Sequence, residues 1–129
     1  MSKPLVFFPD AVLLVIDYLR AALGVPVYSR VPENRPAEFI RVERLGGLRS
    51  SVVTDRPRID IECWSHSEET AEALMSLARA HMLAMAGKRG VTTVYNVQEV
   101  SGPMWLPDSV SGAPRYSFAV EFSTRALSA

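Results

Sequence analysis

Residues 58–64 constrain the fold more than any other stretch: Ile59, Ile61 and Cys63 alternate with Arg58, Asp60, Glu62 and Trp64. A period of two places these sets on opposite faces of a strand, one suited to a core and the other to a polar surface. A second alternating run, Ser117-Phe118-Ala119-Val120-Glu121-Phe122, follows a loop with rigid edges. Leu106-Pro107-Asp108 opens that loop, residues 109–113 carry it, and Pro114-Arg115-Tyr116 closes it. Two half-buried strands need a layer to cover their apolar side.

That layer is expected from two helices. Pro9-Asp10 suits a helix start, because proline tolerates the first turn and an early carboxylate complements the helix dipole. The helix should run to about Leu23, where Gly24 stops it and Pro26 prevents continuation. Val12, Val15, Ile16, Leu19 and Leu23 form its apolar stripe, which Leu13, Leu14 and Tyr18 widen. The second helix is expected after Ser65, whose spacing to Glu68 fits a capping box, and should reach about Ala86 with Gly87 as its stop. Ala71, Leu74, Ala78, Met82 and Met85 share its apolar face.

Further strands are expected at 25–30, 39–44 and 91–101. Residues 48–57 show no helical period and read as an extended arm or hairpin, preceded by the sharp Gly46-Gly47 bend. Met104 and Trp105 are expected in a long loop around 102–114. The sum is a single α+β domain over residues 1–129, with a mixed, mainly antiparallel sheet of about five strands and two main helices on one face. No internal repeat or low-complexity linker divides it.

Composition narrows the function. The chain has 129 residues, 14 basic and 14 acidic, so it carries no overall basic footprint for nucleic acid or anionic lipid. Asp17 and Arg20 break the apolar run of the first helix before the roughly 20 residues needed to cross a bilayer. No membrane partner is expected, and the protein reads as soluble. The single cysteine excludes an internal disulfide. Lys3 and Lys88 are the only lysines, an arginine bias that fits a GC-rich genome and hints at an actinobacterial setting.

Cys63 and His66 lie close together, but zinc needs about four ligands and no second pair stands at a matching spacing. Cys63 falls on the apolar face of its strand and reads as an ordinary buried thiol. His81 lies on the second helix near Ala78 and Met85, with no nucleophile or orienting acid nominated beside it. Asp55, Asp60 and Glu62 could hold magnesium in a small nuclease. The lysine that often accompanies such a site is missing, so a solvated or intersubunit charged face explains these residues better. The glycines lack phosphate-loop spacing. No catalytic, metal or cofactor site is expected.

Unexplained apolar residues remain where a monomer would favour polar ones: Met104, Trp105 and Leu106, Val52 and Val53, Leu13 and Tyr18. Exposed apolar patches mark association sites. The ordered set Phe8-Pro9-Asp10, Tyr18-Leu19-Arg20, Gly46-Gly47, Thr54-Asp55-Arg56-Pro57-Arg58, Leu106-Pro107-Asp108 and Pro114-Arg115-Tyr116 resembles the tail terminator (tail completion) proteins of long-tailed siphovirus bacteriophages. The resemblance covers nearly the whole chain.

It implies a ring, typically of six copies, that caps the tail tube at its head-proximal end. The ring stops further polymerisation and offers the head connector a docking surface. Expected partners are therefore a second copy of the chain, the tail tube protein and the connector, with DNA passing through the lumen unread. Assembly is expected in the host cytoplasm. Interface positions implied this way are Arg49, Val52, Val53, Thr54, Asp55 and Arg56 on the arm, and Met104, Trp105, Leu106 and Asp108 in the later loop. Asp60, Glu62 and Glu121 are expected to line the lumen, where acidic character would keep DNA from sticking. A neck or head-completion adaptor is the alternative, with a small metal-dependent nuclease behind it.

Overall fold

The computed structural model describes residues 5–128. Strand β1 (Val6–Phe7) leads into helix α1 (Ala11–Leu23), followed by β2 (Val27–Tyr28), β3 (Phe39–Arg44), β4 (Thr54–Asp55) and β5 (Arg58–Trp64). Helix α2 (Glu68–Leu83) comes next, then β6 (Gly87–Arg89), β7 (Thr92–Trp105), β8 (Arg115–Arg125) and β9 (Leu127–Ser128). The main sheet has seven strands in the order β2-β3-β5-β8-β7-β6, with β4 also paired to β8. All of its pairings are antiparallel except β2 with β3. A separate two-stranded sheet joins β1 to β9.

The α+β class and the helical layer agree with the sequence, while the strand count exceeds the expected five. The additional strands β1, β4, β6 and β9 are only two or three residues long, too short to carry an alternating pattern of their own.

Helix α1 forms where expected. The Asp10 carboxylate accepts the Leu13 N–H at 3.0 Å, and Gly24 closes the last turn in the left-handed region at φ +68°. Its buried face carries Ala11, Val15, Ile16 and Leu19.

Helix α2 departs from expectation at both ends. Its N-cap is Ser67, which exchanges hydrogen bonds with Thr70 in a reciprocal capping box; Ser65 and Glu68 do not form one. Ser65 is still tied to the sheet through its N–H to the Pro114 carbonyl, and its hydroxyl is directed to Glu38 and Thr70. At the far end α2 stops at Leu83, and Gly87 opens β6 instead of closing the helix.

The sheet separates two environments. Ile40 and Val42 of β3, Ile59, Ile61 and Cys63 of β5, and Phe118, Val120 and Phe122 of β8 pack with both helices in one core. Phe118, Phe122, Leu19, Met82 and Met85 are fully buried, each worth roughly 1.5–3 kcal/mol of transfer free energy. Alternation turns Arg41, Glu43, Arg58, Asp60, Glu62, Ser117 and Glu121 to the opposite face, which no helix covers. On that face Phe39 and Trp64 stack at 5.1 Å, with the guanidinium groups of Arg35 and Arg115 at 5.2 and 5.1 Å from the Trp64 ring.

Strand β7 continues to Trp105, so Met104 and Trp105 lie on a strand and not in the loop where the sequence had placed them. Pro103 is accommodated inside a register shift between Ser101 and Met104, where no ladder bond needs its missing N–H. Two further shifts, Tyr95/Gln98 and Glu99/Ser101, bend the same strand. Asn96, in the first of these, takes φ +54°. Beyond its short pairing with β6 at residues 92–94, the outer edge of β7 has no strand partner among the described residues.

Candidate functional site

Strand register sorts the expected interface residues onto two opposite ends of the molecule. Arg58 pairs with Glu121 and Trp64 with Arg115, while Thr54 pairs with Arg125 and Trp105 with Tyr116. Residues 45–56, the β6–β7 turn and the end of β8 therefore share the Arg58 end. Met104, Trp105, Leu106 and residues 107–114 share the Trp64 end. At about 3.3 Å per residue, residues 116–124 hold these ends about 26 Å apart.

At the Arg58 end, residues 48–57, expected as an extended arm or hairpin, form a turn in which Ser51 bridges Thr54. The Arg44 guanidinium pairs with Asp55 at 2.9 and 3.2 Å and also donates to the Gly46 and Gly47 carbonyls. Gly47 lies so close to the chain that a Cβ there would fall 2.3 Å from the Arg56 carbonyl oxygen. A tight turn follows, in which the Ser50 and Ser51 N–H groups reach the Thr54 carbonyl. The outcome is a clamped loop whose tip alone is exposed: Leu48 is 88% exposed, and Arg49, Val52 and Val53 are also in solvent.

Asp55 and Arg56, expected at an interface, are engaged within the chain. Asp55 is buried against Arg44. Arg56 crosses β8, donating to Ser123, to the Asn96 carbonyl and to Gln98, and pairs with Glu121 at 3.3 Å. It thereby fixes the bulge of β7. Thr54 lies half-buried in β4, with its hydroxyl 3.4 Å from that of Tyr95.

At the Trp64 end, Met104, Trp105 and Leu106 are each 40–47% exposed, and Val110 is almost fully so. Trp105 packs on Tyr116 with ring centroids 5.2 Å apart. Asp108 organises the loop by accepting the Ser111 N–H and hydroxyl, bonds that hold its carboxyl below the ordinary range. Arg115 secures the other side by donating to the Leu106 carbonyl at 2.7 Å. The loop is thus held closed and presents its apolar residues outward.

The uncovered face between these ends carries the three carboxylates expected to make it acidic. Each has a partner. Glu62 accepts the Arg41 Nε–H at 2.7 Å and faces Arg115 at 3.6 Å, while Glu121 pairs with Arg56. Asp60 accepts the Ser117 hydroxyl at 2.9 Å, yet its burial still raises its pKa. Two of the three carboxylates are thus paired with arginines, and Asp60 is held by a neutral hydroxyl. Alternation revealed the carboxylates but could not reveal which arginines reach them across neighbouring strands.

The nuclease constellation does not assemble, because Asp55 belongs to the Arg44 clamp at one end and Asp60 and Glu62 to the open face. Among the described residues no group of three or more His, Cys, Asp and Glu side chains lies close enough to hold a metal ion. Cys63 is fully buried, and burial pushes its thiol pKa up. The His81 carbonyl accepts the Tyr18 hydroxyl at 2.6 Å, joining the two helices, and His66 is exposed. No helix of the described structure is long and apolar enough to cross a membrane.

One feature missed by the sequence is a groove of about 530 Å³ between α1 and the β6–β7 turn, lined by Leu13, Leu14, Tyr18 and Val91 with Asp10 and Asp17 on the helix side. The widened apolar face of α1 was the signal for it.

A small sheet domain with exposed apolar residues at both ends presents surfaces suited to association. A family profile described as phage tail termination protein matches residues 7–126, and the chain belongs to that family. This is a family of virion structural proteins and not of enzymes. No curated protein matches the sequence. Among solved structures, a chain from the virion of a native gene transfer agent (GTA) particle has a similar fold. Its TM-score is 0.50 at 13% identity, covering 91% of this chain and 85% of that chain.

Proposed function

We propose that the protein assembles as a ring, of six copies, that caps the head-proximal end of a siphovirus tail tube. The ring ends tube polymerisation and receives the head connector, and it is assembled in the host cytoplasm before it becomes part of the virion tail. The observation that supports this most is the presence of exposed apolar residues at each of two ends about 26 Å apart. Val52 and Val53 mark one end, and Trp105 and Leu106 the other. A terminator needs two unlike docking surfaces, one that accepts the last tube ring and one that tube subunits cannot recognise.

The uncovered face of β3, β5 and β8 is the surface proposed to line the lumen, with Asp60, Glu62 and Glu121 on it. Pairing with Arg41, Arg115 and Arg56 leaves neither a basic trap for DNA nor a strong field opposing it. DNA would pass without being read.

The test is light scattering of the purified protein alone and mixed with its tail tube protein, followed by negative-stain imaging. Rings, or tubes bearing this protein at one end only, support the proposal. Co-purification with the portal side and no association with tubes would favour a neck or head-completion adaptor. A monomer that ignores both partners would overturn the proposal.

A further inference from the structure

We infer that the groove between α1 and the β6–β7 turn is the socket for residues 45–49 of a second copy, with Leu48 entering the groove and Arg49 meeting Asp17, while Val52 and Val53 on the returning arm of the loop stay outside it. This rests on the proposed ring. The two surfaces share an end of the molecule but lie on opposite lateral sides of the sheet. The loop runs from β3 to β4, and β4 and β8 stand between its β3 side and the β6–β7 turn that borders the groove.

Chemistry matches across the proposed contact. The groove presents Leu13, 53% exposed, and Val91, 85% exposed, above the ring of Tyr18. Its charges are unequal in availability. Asp10 caps α1 through the Leu13 N–H, and Arg89 lies over Tyr18 at 4.6 Å while donating to the Met85 carbonyl. Asp17 is exposed and makes no ion pair among the described residues. The loop offers the complement: Leu48, the most exposed large apolar residue of its segment, next to Arg49, which is equally without an ion pair among the described residues.

Geometry excludes closure within one chain and favours a ring. Arg44, Asp55 and the close approach of Gly47 hold the loop at its own edge, so its tip cannot reach across the sheet to its own groove. The same clamp prepays the ordering of the loop, which makes it a better ligand than a mobile arm. Since donor and socket sit at the same end of the strands, repeating the contact displaces each copy sideways with little climb. A head-to-tail contact of this kind gives a ring where its rotation completes a circle and a filament where it does not, and the closing rotation here is taken from the proposed ring.

The test uses full-length protein under the conditions in which rings are imaged. A chain carrying both Leu48→Cys and Leu13→Cys should give, on mild oxidation, a ladder of covalent multimers absent from either single variant; Cys63 is buried and does not take part. Arg49→Glu and Asp17→Arg should each weaken association about tenfold or more, and the two together should restore it. These positions are exposed, so circular dichroism should show every variant folded. Rings from the unmodified chain with no ladder, and with charge variants that assemble normally, would overturn the socket and leave the ring standing. Failure of the unmodified chain to form rings or cap tubes would overturn both.

Discussion

The Arg44 guanidinium grips the Asp55 carboxylate with two N–H groups, at 2.9 and 3.2 Å, across the bend that returns the chain from β3 to β4. The Asp55 side chain is 6% exposed and that of Arg44 34%, so removing the arginine strands a buried charge, while removing the acid leaves a cation that water can reach. Arg44→Ala is expected to cost about 3 kcal/mol and Asp55→Asn about 1 kcal/mol, read from urea unfolding curves. Equal losses would mean that the pair is more hydrated than its geometry indicates.

Gly47 should tolerate no side chain. Its φ of +87° is strained for other residues, and a Cβ would meet the backbone of residues 56–58, which cannot swing aside. Gly47→Ala should destabilise the fold by about 3 kcal/mol. Gly46→Ala, also at positive φ but with open space around it, should cost about 1 kcal/mol.

Asp60 should make the fold prefer acid over the range in which it titrates. Burial raises its folded-state pKa above the unfolded value, so the folded state binds the proton more tightly. The penalty is absent below the ordinary carboxylate range, grows as pH rises through the interval between the two values, and is constant above it. Asp60→Asn should therefore be more stable than the parent at pH 7, by less than about 1 kcal/mol because the site is partly hydrated, and equal to it near pH 3. Denaturant melts at both pH values check the sign.

Glu62 balances two guanidinium groups, from Arg41 and Arg115. Glu62→Ala leaves Arg41 with Glu43 and Arg115 with Asp108, and removes one negative charge per copy from the surface proposed to face DNA. Assembled rings of this variant should retain DNA at low salt and release it as salt rises, whereas the parent should not retain it. DNA retention unchanged from the parent would count against this face lining the passage.

Charges placed at the two ends should separate the two docking events. Val52→Asp should impair one of tube or connector binding, and Leu106→Asp the other, since register places these residues at opposite ends of β8. Co-sedimentation with each partner reads this out. Loss of the same partner in both variants would contradict the two-ended arrangement.

Much of the framework was legible because its residues repeat a local pattern. Phe39–Arg44, Arg58–Trp64 and α1 appear as expected, since alternation or a capped apolar stripe fixes them without help from distant residues. The start of α2 was ambiguous: Ser65 and Ser67 both precede a suitable third residue, and only the tie between Ser65 and Pro114 decides which serine caps. Gly102-Pro103 suggested a loop, but an outer strand accommodates them within a bulge. The surfaces were hardest to foresee. Arg56 sits between Asp55 and Pro57 in sequence, yet its partners Asn96, Gln98, Glu121 and Ser123 are supplied by strands that the chain has not yet made at that point.

The bent outer edge of β7 also guards the protein against stacking on copies of itself. A long, straight, unpaired strand invites copies to stack through their backbones into fibres. Three register shifts and Pro103 break the row of donors and acceptors that such stacking needs, and Arg79 anchors Glu99 beside it. Free copies can then accumulate without seeding cross-β aggregates, so the strand that leaves the fold open at one side does not become a template for fibres.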